Sequence, residues 1–125
     1  MDLKRDLVKY VRDKAKSKYE KGTECYICRT QENLEFHHYY SLTELLEKWM
    51  KEKGLSKHMS VEDIEIERLI FIKEHKKELY EDTVTLCHYH HQDRLHKLYG
   101  KRPPLATAEK QKRWVERQRE KHEEK

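Results

Sequence analysis

The sequence predicts a small α+β domain that is mainly helical, and three observations lead to this class. Its length of 125 residues is that of one domain. Apolar residues recur with the helical period over most of the chain, and only two short segments have the composition of strands. Hydrophobic residues make up 35% of the chain and charged residues 42%, so the apolar core must be thin. We therefore expect that something besides apolar burial stabilises the fold.

The first predicted element is an N-terminal helix over about residues 2–21. Gly22 is expected to end it, because glycine tolerates the left-handed conformation that follows many helices. Its apolar stripe consists of Leu3, Leu7, Tyr10, Val11, Ala15 and Tyr19.

Residues 41–81 are predicted to form a helical insert. Ser41 and Glu44 have the spacing of a capping box, and Gly54 is placed to end the helix that they begin. This helix presents Leu42, Leu45, Leu46, Trp49 and Met50 on one face. A second helix should run from after Ser60 to about Tyr80 and bury Val61, Ile64, Leu69, Ile72 and Leu79.

Two short strands flank the insert, and two further helices follow it. Residues 34–39 and 83–86 have the composition of strands, and a helix is predicted from about His88 to Gly100. The prolines at 103 and 104 mark a stiff linker. Residues 107–125 should then form a basic helical tail, with little besides Trp114 and Val115 to bury. The predicted organisation is a domain over residues 1–100 and a tail over 101–125.

Charge and hydropathy limit the classes of function. The net charge is +4, and the positive charge is concentrated in residues 1–24 and 101–125, which suits contact with a polyanion. A solvated tail and a tail that follows DNA both fit this pattern. No apolar stretch is long enough to span a bilayer and the N-terminus lacks an apolar signal region, so we expect a cytoplasmic protein without membrane contact.

Cysteine and histidine spacing predicts a structural zinc site. Cys25 and Cys28 form a C-x2-C pair, and Cys87 and His90 form a C-x2-H pair after a long gap. Each such turn folds two ligands onto one side of a tetrahedral ion. Three cysteines cannot all pair as disulfides, which argues against a disulfide framework. The alternative to a zinc site is a chance C-x2-C spacing or a redox pair at Cys25 and Cys28.

The order of these motifs resembles the zinc-containing HNH endonucleases. That family combines C-x2-C, a His-His or Asp-His pair after a strand, and Asn-x-V-x-L-C-x2-C-H. Here the corresponding segments are residues 24–40, with His37 and His38, and residues 82–100, with Asp82 and His91. The resemblance implies a small ββα-metal core that contains a structural zinc, with the N-terminal helix, the insert and the C-terminal helix outside it. It also implies a DNA substrate and, for small free-standing members, a phage or a mobile element as the source.

The resemblance also implies roles for individual residues. His38 corresponds to the general base, and an imidazole suits this role near neutral pH. His37 and His91 correspond to ligands of a catalytic divalent metal, and Asp82 stands at the position of a further ligand or bracing residue. An added carboxylate favours Mg²⁺ or Mn²⁺.

Three features depart from the family pattern. Asp82 replaces an asparagine, and His90 replaces the fourth zinc cysteine. Relatives often carry a second helix histidine four residues after the first, whereas Leu95 occupies that position here and His96 lies about 100° further round a regular helix. Neighbours on a strand point to opposite faces, so His37 and His38 can share a site only at a strand end or a bulge.

The sequence therefore predicts a metal-dependent DNA endonuclease, acting as a monomer or a homodimer. The alternative is a catalytically inactive module that retains the zinc and contacts nucleic acid or protein. Because no predicted catalytic residue lies beyond His91, cleavage is expected to survive removal of the tail.

Overall fold

The computed structural model describes residues 4–56 and 58–123 and has the predicted class, a mixed α+β fold that is mainly helical. None of the helices in these two ranges is long and apolar enough to cross a membrane. The elements in chain order are β1 (Lys4–Asp6), α1 (Leu7–Lys16), β2 (Leu34–His38), α2 (Leu42–Lys53), β3 (His58–Ser60), α3 (Val61–Glu74), a π-helical turn (Lys77–Glu81), β4 (Thr83–Cys87), a π-helical segment (Tyr89–Leu95), α4 (His96–Tyr99), a 3-10 turn (Leu105–Thr107) and α5 (Ala108–Glu123).

The two predicted strands pair as an antiparallel ribbon at the centre of the fold. Leu34 of β2 lies opposite Cys87 of β4, and His38 lies opposite Thr83. Because side chains alternate along a strand, His37 faces one side of this ribbon and His38 faces the other. The π-helical segment and α4 follow β4 directly, so a helical element succeeds the ribbon as in a ββα unit.

The N-terminal helix is shorter than predicted. It spans only Leu7–Lys16, and Lys4–Asp6 pairs instead with His58–Ser60 as a second antiparallel ribbon; residues 2 and 3 lie outside the described residues. Tyr19 leaves the helical stripe and stacks on Phe36, with ring centroids 4.7 Å apart. Gly22 therefore does not end the helix. Its amide donates to Thr85 Oγ1 at 2.7 Å, and a Cβ on it would lie 3.2 Å from that oxygen, which favours the smallest residue.

The insert forms two helices whose predicted caps are confirmed. Ser41 accepts a hydrogen bond from the Glu44 amide, and Gly54 adopts a left-handed conformation with φ of 68°. The second helix begins at the Ser60 cap but ends at Glu74, so the π-helical turn occupies the last part of the predicted helix. Val61 and Leu69 are 39% and 55% exposed, contrary to prediction, because α3 buries the face that carries Ile64, Phe71 and Ile72.

Two apolar clusters form the interior. The insert-side core joins α1 to the insert and consists of Leu7, Val11, Ala15, Leu42, Leu45, Leu46, Trp49, Met50, Ile64, Phe71, Ile72 and Leu79. The zinc-side core surrounds the central ribbon and consists of Cys25, Ile27, Tyr39, Leu86, Cys87, Leu95, Ala108, Trp114 and Val115. The last three residues belong to α5, so the tail helix packs onto the ribbon.

Candidate metal centres and active site

The four predicted zinc ligands come together at one end of the central ribbon. Cys25 and Cys28 lie in the loop before β2, Cys87 ends β4, and His90 lies in the π-helical segment. Two backbone hydrogen bonds fold the loop, from the Cys25 amide to Thr30 O at 2.8 Å and from the Arg29 amide to Cys25 O at 2.8 Å. The donor atoms of the four ligands all lie within 4.8 Å of one another.

Their separations fit a tetrahedral ion. A zinc ion with Zn–S bonds of about 2.3 Å holds two sulfurs about 3.8 Å apart. The Sγ atoms of Cys28 and Cys87 are 3.8 Å apart, and His90 Nδ1 lies 3.3 Å from Cys87 Sγ and 3.8 Å from Cys25 Sγ. A group of three thiols and one imidazole with this spacing could bind a metal such as zinc.

A second group of possible ligands consists of His37, His91 and His96. His37 Nδ1 and His96 Nε2 each lie 3.0 Å from His91 Nε2. Two nitrogens that bind one ion at about 2.1 Å lie about 3.0 to 3.4 Å apart, so these spacings also suit a shared ion. His37 and His91 are buried, at 3% and 7% exposure.

Hydrogen bonds outside this group determine which nitrogen of each ring carries the proton. The remaining nitrogen of each ring faces an oxygen that accepts: His37 Nε2 lies 2.8 Å from Gln111 Oε1, His91 Nδ1 lies 2.7 Å from Glu35 Oε1, and His96 Nδ1 lies 2.7 Å from Gly100 O. Each of these nitrogens therefore donates, and the three nitrogens that face each other carry lone pairs. Three lone pairs at this spacing repel one another unless a cation lies between them.

A π-helical turn explains how His91 and His96 meet. The His96 amide donates to His91 O, five residues earlier, so this turn contains one more residue than an α-helical turn. The extra residue brings His96 back to the side of the helix that carries His91, so the offset of about 100° expected for a regular helix is absent. Leu95, at the position where relatives often carry histidine, is instead fully buried in the zinc-side core.

The electrostatic setting favours the neutral rings of His37 and His91 and keeps the carboxylate beside them charged. Burial lowers the pKa of His37 to about 3 and also lowers that of His91. Burial acts to raise the pKa of Glu35, but hydrogen bonds from His88, His91 and Gln92 outweigh it and lower this pKa to about 2. Glu35 thus remains an anionic acceptor for His91.

His38 occupies the opposite face of the ribbon from the three histidines. Its Nε2 donates to Leu79 O at 3.0 Å, which leaves Nδ1 with a lone pair, and burial lowers its pKa to about 4. Its ring contacts Tyr19 and Phe36 edge-on. These three residues line a cavity of about 600 Å³ whose lining also includes Arg12, Lys16 and Lys21.

Asp82 lies apart from both ligand groups in the described residues. Its carboxylate accepts hydrogen bonds from Lys77 Nζ at 2.9 and 3.1 Å and from Lys112 Nζ at 2.9 Å. Burial acts to raise its pKa, but the two ammonium groups outweigh it and lower this pKa. Ion pairs therefore join Asp82 to the π-helical turn through Lys77 and to α5 through Lys112, and the structure does not bring it to His37 and His91.

Three residues near the candidate site were missed or given little weight by the sequence prediction. His96 fails the helical spacing and becomes a neighbour of His91 only through the π-helical turn. Glu35 shares a strand face with His37, a relation that the alternation of strand residues could have revealed. Gln111 lies 74 residues from His37 in a segment outside the motif, and no local pattern marks it.

Comparison with known proteins connects this geometry to a family. The family model of the phage T5 nicking endonucleases, which is described as the Nicking endonuclease family, matches the sequence over residues 1–124. No solved structure matches the chain. Because the match covers nearly the whole chain, this protein belongs to the nicking endonuclease family, whose name indicates an endonuclease that acts on DNA.

Proposed function

We propose that this protein is a metal-dependent DNA endonuclease of the HNH type and that it nicks one strand at a time. The observation that carries this proposal is the convergence of three imidazole lone pairs, from His37, His91 and His96, beside the ribbon. Two further features support the HNH assignment. A helical element follows the central ribbon, and the separate Cys/His group lies at one end of this ribbon. One such site cleaves one strand, which agrees with the family's description.

His37, His91 and His96 are the proposed ligands of the catalytic metal, with His96 in place of Asp82. A divalent ion there would stabilise negative charge on the phosphate and on the leaving 3′ oxygen. Imidazole nitrogens suit transition metals better than Mg²⁺, which prefers oxygen ligands. Of the two ions expected from the sequence, Mn²⁺ therefore fits this ligand set better than Mg²⁺.

His38 is the proposed general base. The hydrogen bond to Leu79 O holds its ring and leaves Nδ1 able to take a proton from the attacking water. His38 is the last residue of β2, so a phosphodiester that lies across this strand end would reach the metal on one face and His38 Nδ1 on the other. The cavity beside His38 carries three cationic side chains, Arg12, Lys16 and Lys21, against the single carboxylate of Glu35, which favours a polyanion there. Cys25, Cys28, Cys87 and His90 are proposed to hold a structural zinc ion and to take no part in the chemistry.

A supercoiled plasmid tests this function. We expect the wild-type protein to convert it to the open circle in the presence of Mn²⁺, with little linear product at early times. His38→Ala should lose this activity and keep its zinc content, whereas His58→Ala, a change of an exposed histidine on β3, should keep both. Binding of DNA without cleavage under any divalent metal would instead indicate the inactive binding module.

A further inference from the structure

We propose that Gln111 of α5 is a positioning residue of the catalytic metal site. It orients the His37 ring and determines which of its two nitrogens carries the proton. This inference rests on the proposed function, because it concerns the same three-histidine site. Gln111 is fully buried, and its Oε1 lies 2.8 Å from His37 Nε2. It is the one contact from α5 to the three histidines among the hydrogen bonds of the described residues.

The orientation of the Gln111 amide is determined by its other partners. Its Nε2 donates to Thr107 Oγ1 at 2.9 Å and to Tyr39 O at 3.3 Å. The Tyr39 carbonyl can only accept, and the Thr107 hydroxyl already donates to Pro104 O at 2.7 Å, so both require a donor from Gln111. The amide oxygen must therefore face His37 and accept from its Nε2–H. That assigns the lone pair of His37 to Nδ1, the atom that faces His91.

The position of Gln111 on α5 favours a role beyond packing. Its neighbours on the buried face of the helix are Ala108, Trp114 and Val115, where an apolar residue would be the simple choice. A buried amide destabilises the fold if its hydrogen bonds are not made. Here the amide oxygen and the amide nitrogen of Gln111 both have hydrogen-bond partners, and one of these partners is a proposed metal ligand. Such outer-shell partners raise metal affinity by holding the ligand ring in place.

This inference changes one expectation from the sequence. The sequence alone predicts that cleavage survives removal of residues 101–125, because no predicted catalytic residue lies beyond His91. With Gln111 bonded to His37, and Trp114 and Val115 in the zinc-side core, the same segment contributes both to the metal site and to the fold. We therefore expect the full chain to be required for activity.

The test compares two substitutions of Gln111 in the full-length, zinc-loaded protein. Gln111→Met keeps the volume and removes the amide, and Gln111→Glu keeps an oxygen that can accept from His37. Gln118→Met, on the more exposed part of the same helix, is the matched control. The readouts are Mn²⁺ affinity by electron paramagnetic resonance, zinc content, thermal midpoint and the Mn²⁺ dependence of nicking.

We expect Gln111→Met to weaken Mn²⁺ binding by about 10- to 100-fold, with one zinc per chain retained. Nicking should then recover at high Mn²⁺ concentration. Gln111→Glu should keep the affinity near the wild-type value but lower the thermal midpoint, because Tyr39 O and Thr107 Oγ1 lose their donor. Gln118→Met should leave both unchanged. Should Gln111→Met fail to fold, Gln111→Ala replaces it with the same expected loss.

Two results separate this inference from the proposed function. Unchanged Mn²⁺ affinity in folded Gln111→Met, even with a lower thermal midpoint, would overturn the positioning role and leave only packing. A wild-type protein that binds Mn²⁺ but does not nick DNA would refute the proposed function, while the comparison of Mn²⁺ affinities would still decide the role of Gln111.

Discussion

Removal of the metal from the Cys/His group should unfold the zinc-side core. Zinc binding to small structural sites contributes an apparent free energy of about 10 to 16 kcal/mol at pH 7. A chain of 125 residues has a total stability of about 6 to 19 kcal/mol at typical values per residue. The contribution of the ion is thus as large as the stability of the whole domain. Two ligands, Cys25 and Cys87, are themselves buried members of this core.

The two tryptophans allow each core to be followed separately. Trp114 is 6% exposed in the zinc-side core, and Trp49 is 5% exposed in the insert-side core, where its Nε1 donates to Glu74 at 2.7 Å. Trp49→Phe leaves Trp114 as the only tryptophan, and Trp114→Phe leaves Trp49. Fluorescence of both variants, with circular dichroism and metal analysis, is measured during dialysis against a chelator.

We expect the emission of Trp114 to shift to longer wavelength as the metal is lost, since its ring becomes solvated. Trp49 should shift less or later, because no metal ligand belongs to its core. Readdition of zinc should reverse the change in Trp114. A protein shown to be free of metal that keeps its Trp114 emission and circular dichroism would refute the reasoning.

Three further predictions concern the active site and the ion pairs. His38→Ala should lower the nicking rate by about 10²- to 10⁴-fold at saturating Mn²⁺, and added metal should not restore it; a full rate would assign the base elsewhere. Lys16→Gln should weaken DNA binding and reduce the slope of log K against log salt by about 0.9, as measured by a titration in increasing salt, and an unchanged slope would exclude this contact. Asp82→Asn should lower the free energy of unfolding by about 1 to 2 kcal/mol at pH 7, because Lys77 and Lys112 lose their anionic partner. Folding lowers the pKa of Asp82, so the difference in unfolding free energy between wild type and Asp82→Asn is present above the unfolded pKa of about 4. This difference should vanish as the pH falls through the pKa of Asp82 in the folded protein. Denaturant titrations of both proteins at several pH values check it.

Local signals in the sequence predicted the elements better than their ends. The strands at 34–39 and 83–86 are observed within one residue, because β-branched and alternating apolar residues mark them. The helix caps at Ser41 and Gly54 are also as predicted. The helix over 2–21 is wrong at both ends, since the pairing of β1 with β3 and the stack of Tyr19 on Phe36 are long-range contacts that local propensity does not contain.

The sequence by itself determined the class of the fold and the four residues of the Cys/His group, because ligand type and short spacing are local properties of the chain. Only the tertiary structure decided which groups complete the three-histidine site. His96 enters it through an extra residue in a helical turn, and Gln111 reaches His37 from 74 residues away. Asp82 lies outside this site, where its carboxylate pairs with Lys77 and Lys112. The contacts of Gln111 with His37 and of Lys112 with Asp82 join distant segments, so the local sequence does not contain them. The π-helical turn at His96 replaces the regular helix that local spacing predicts.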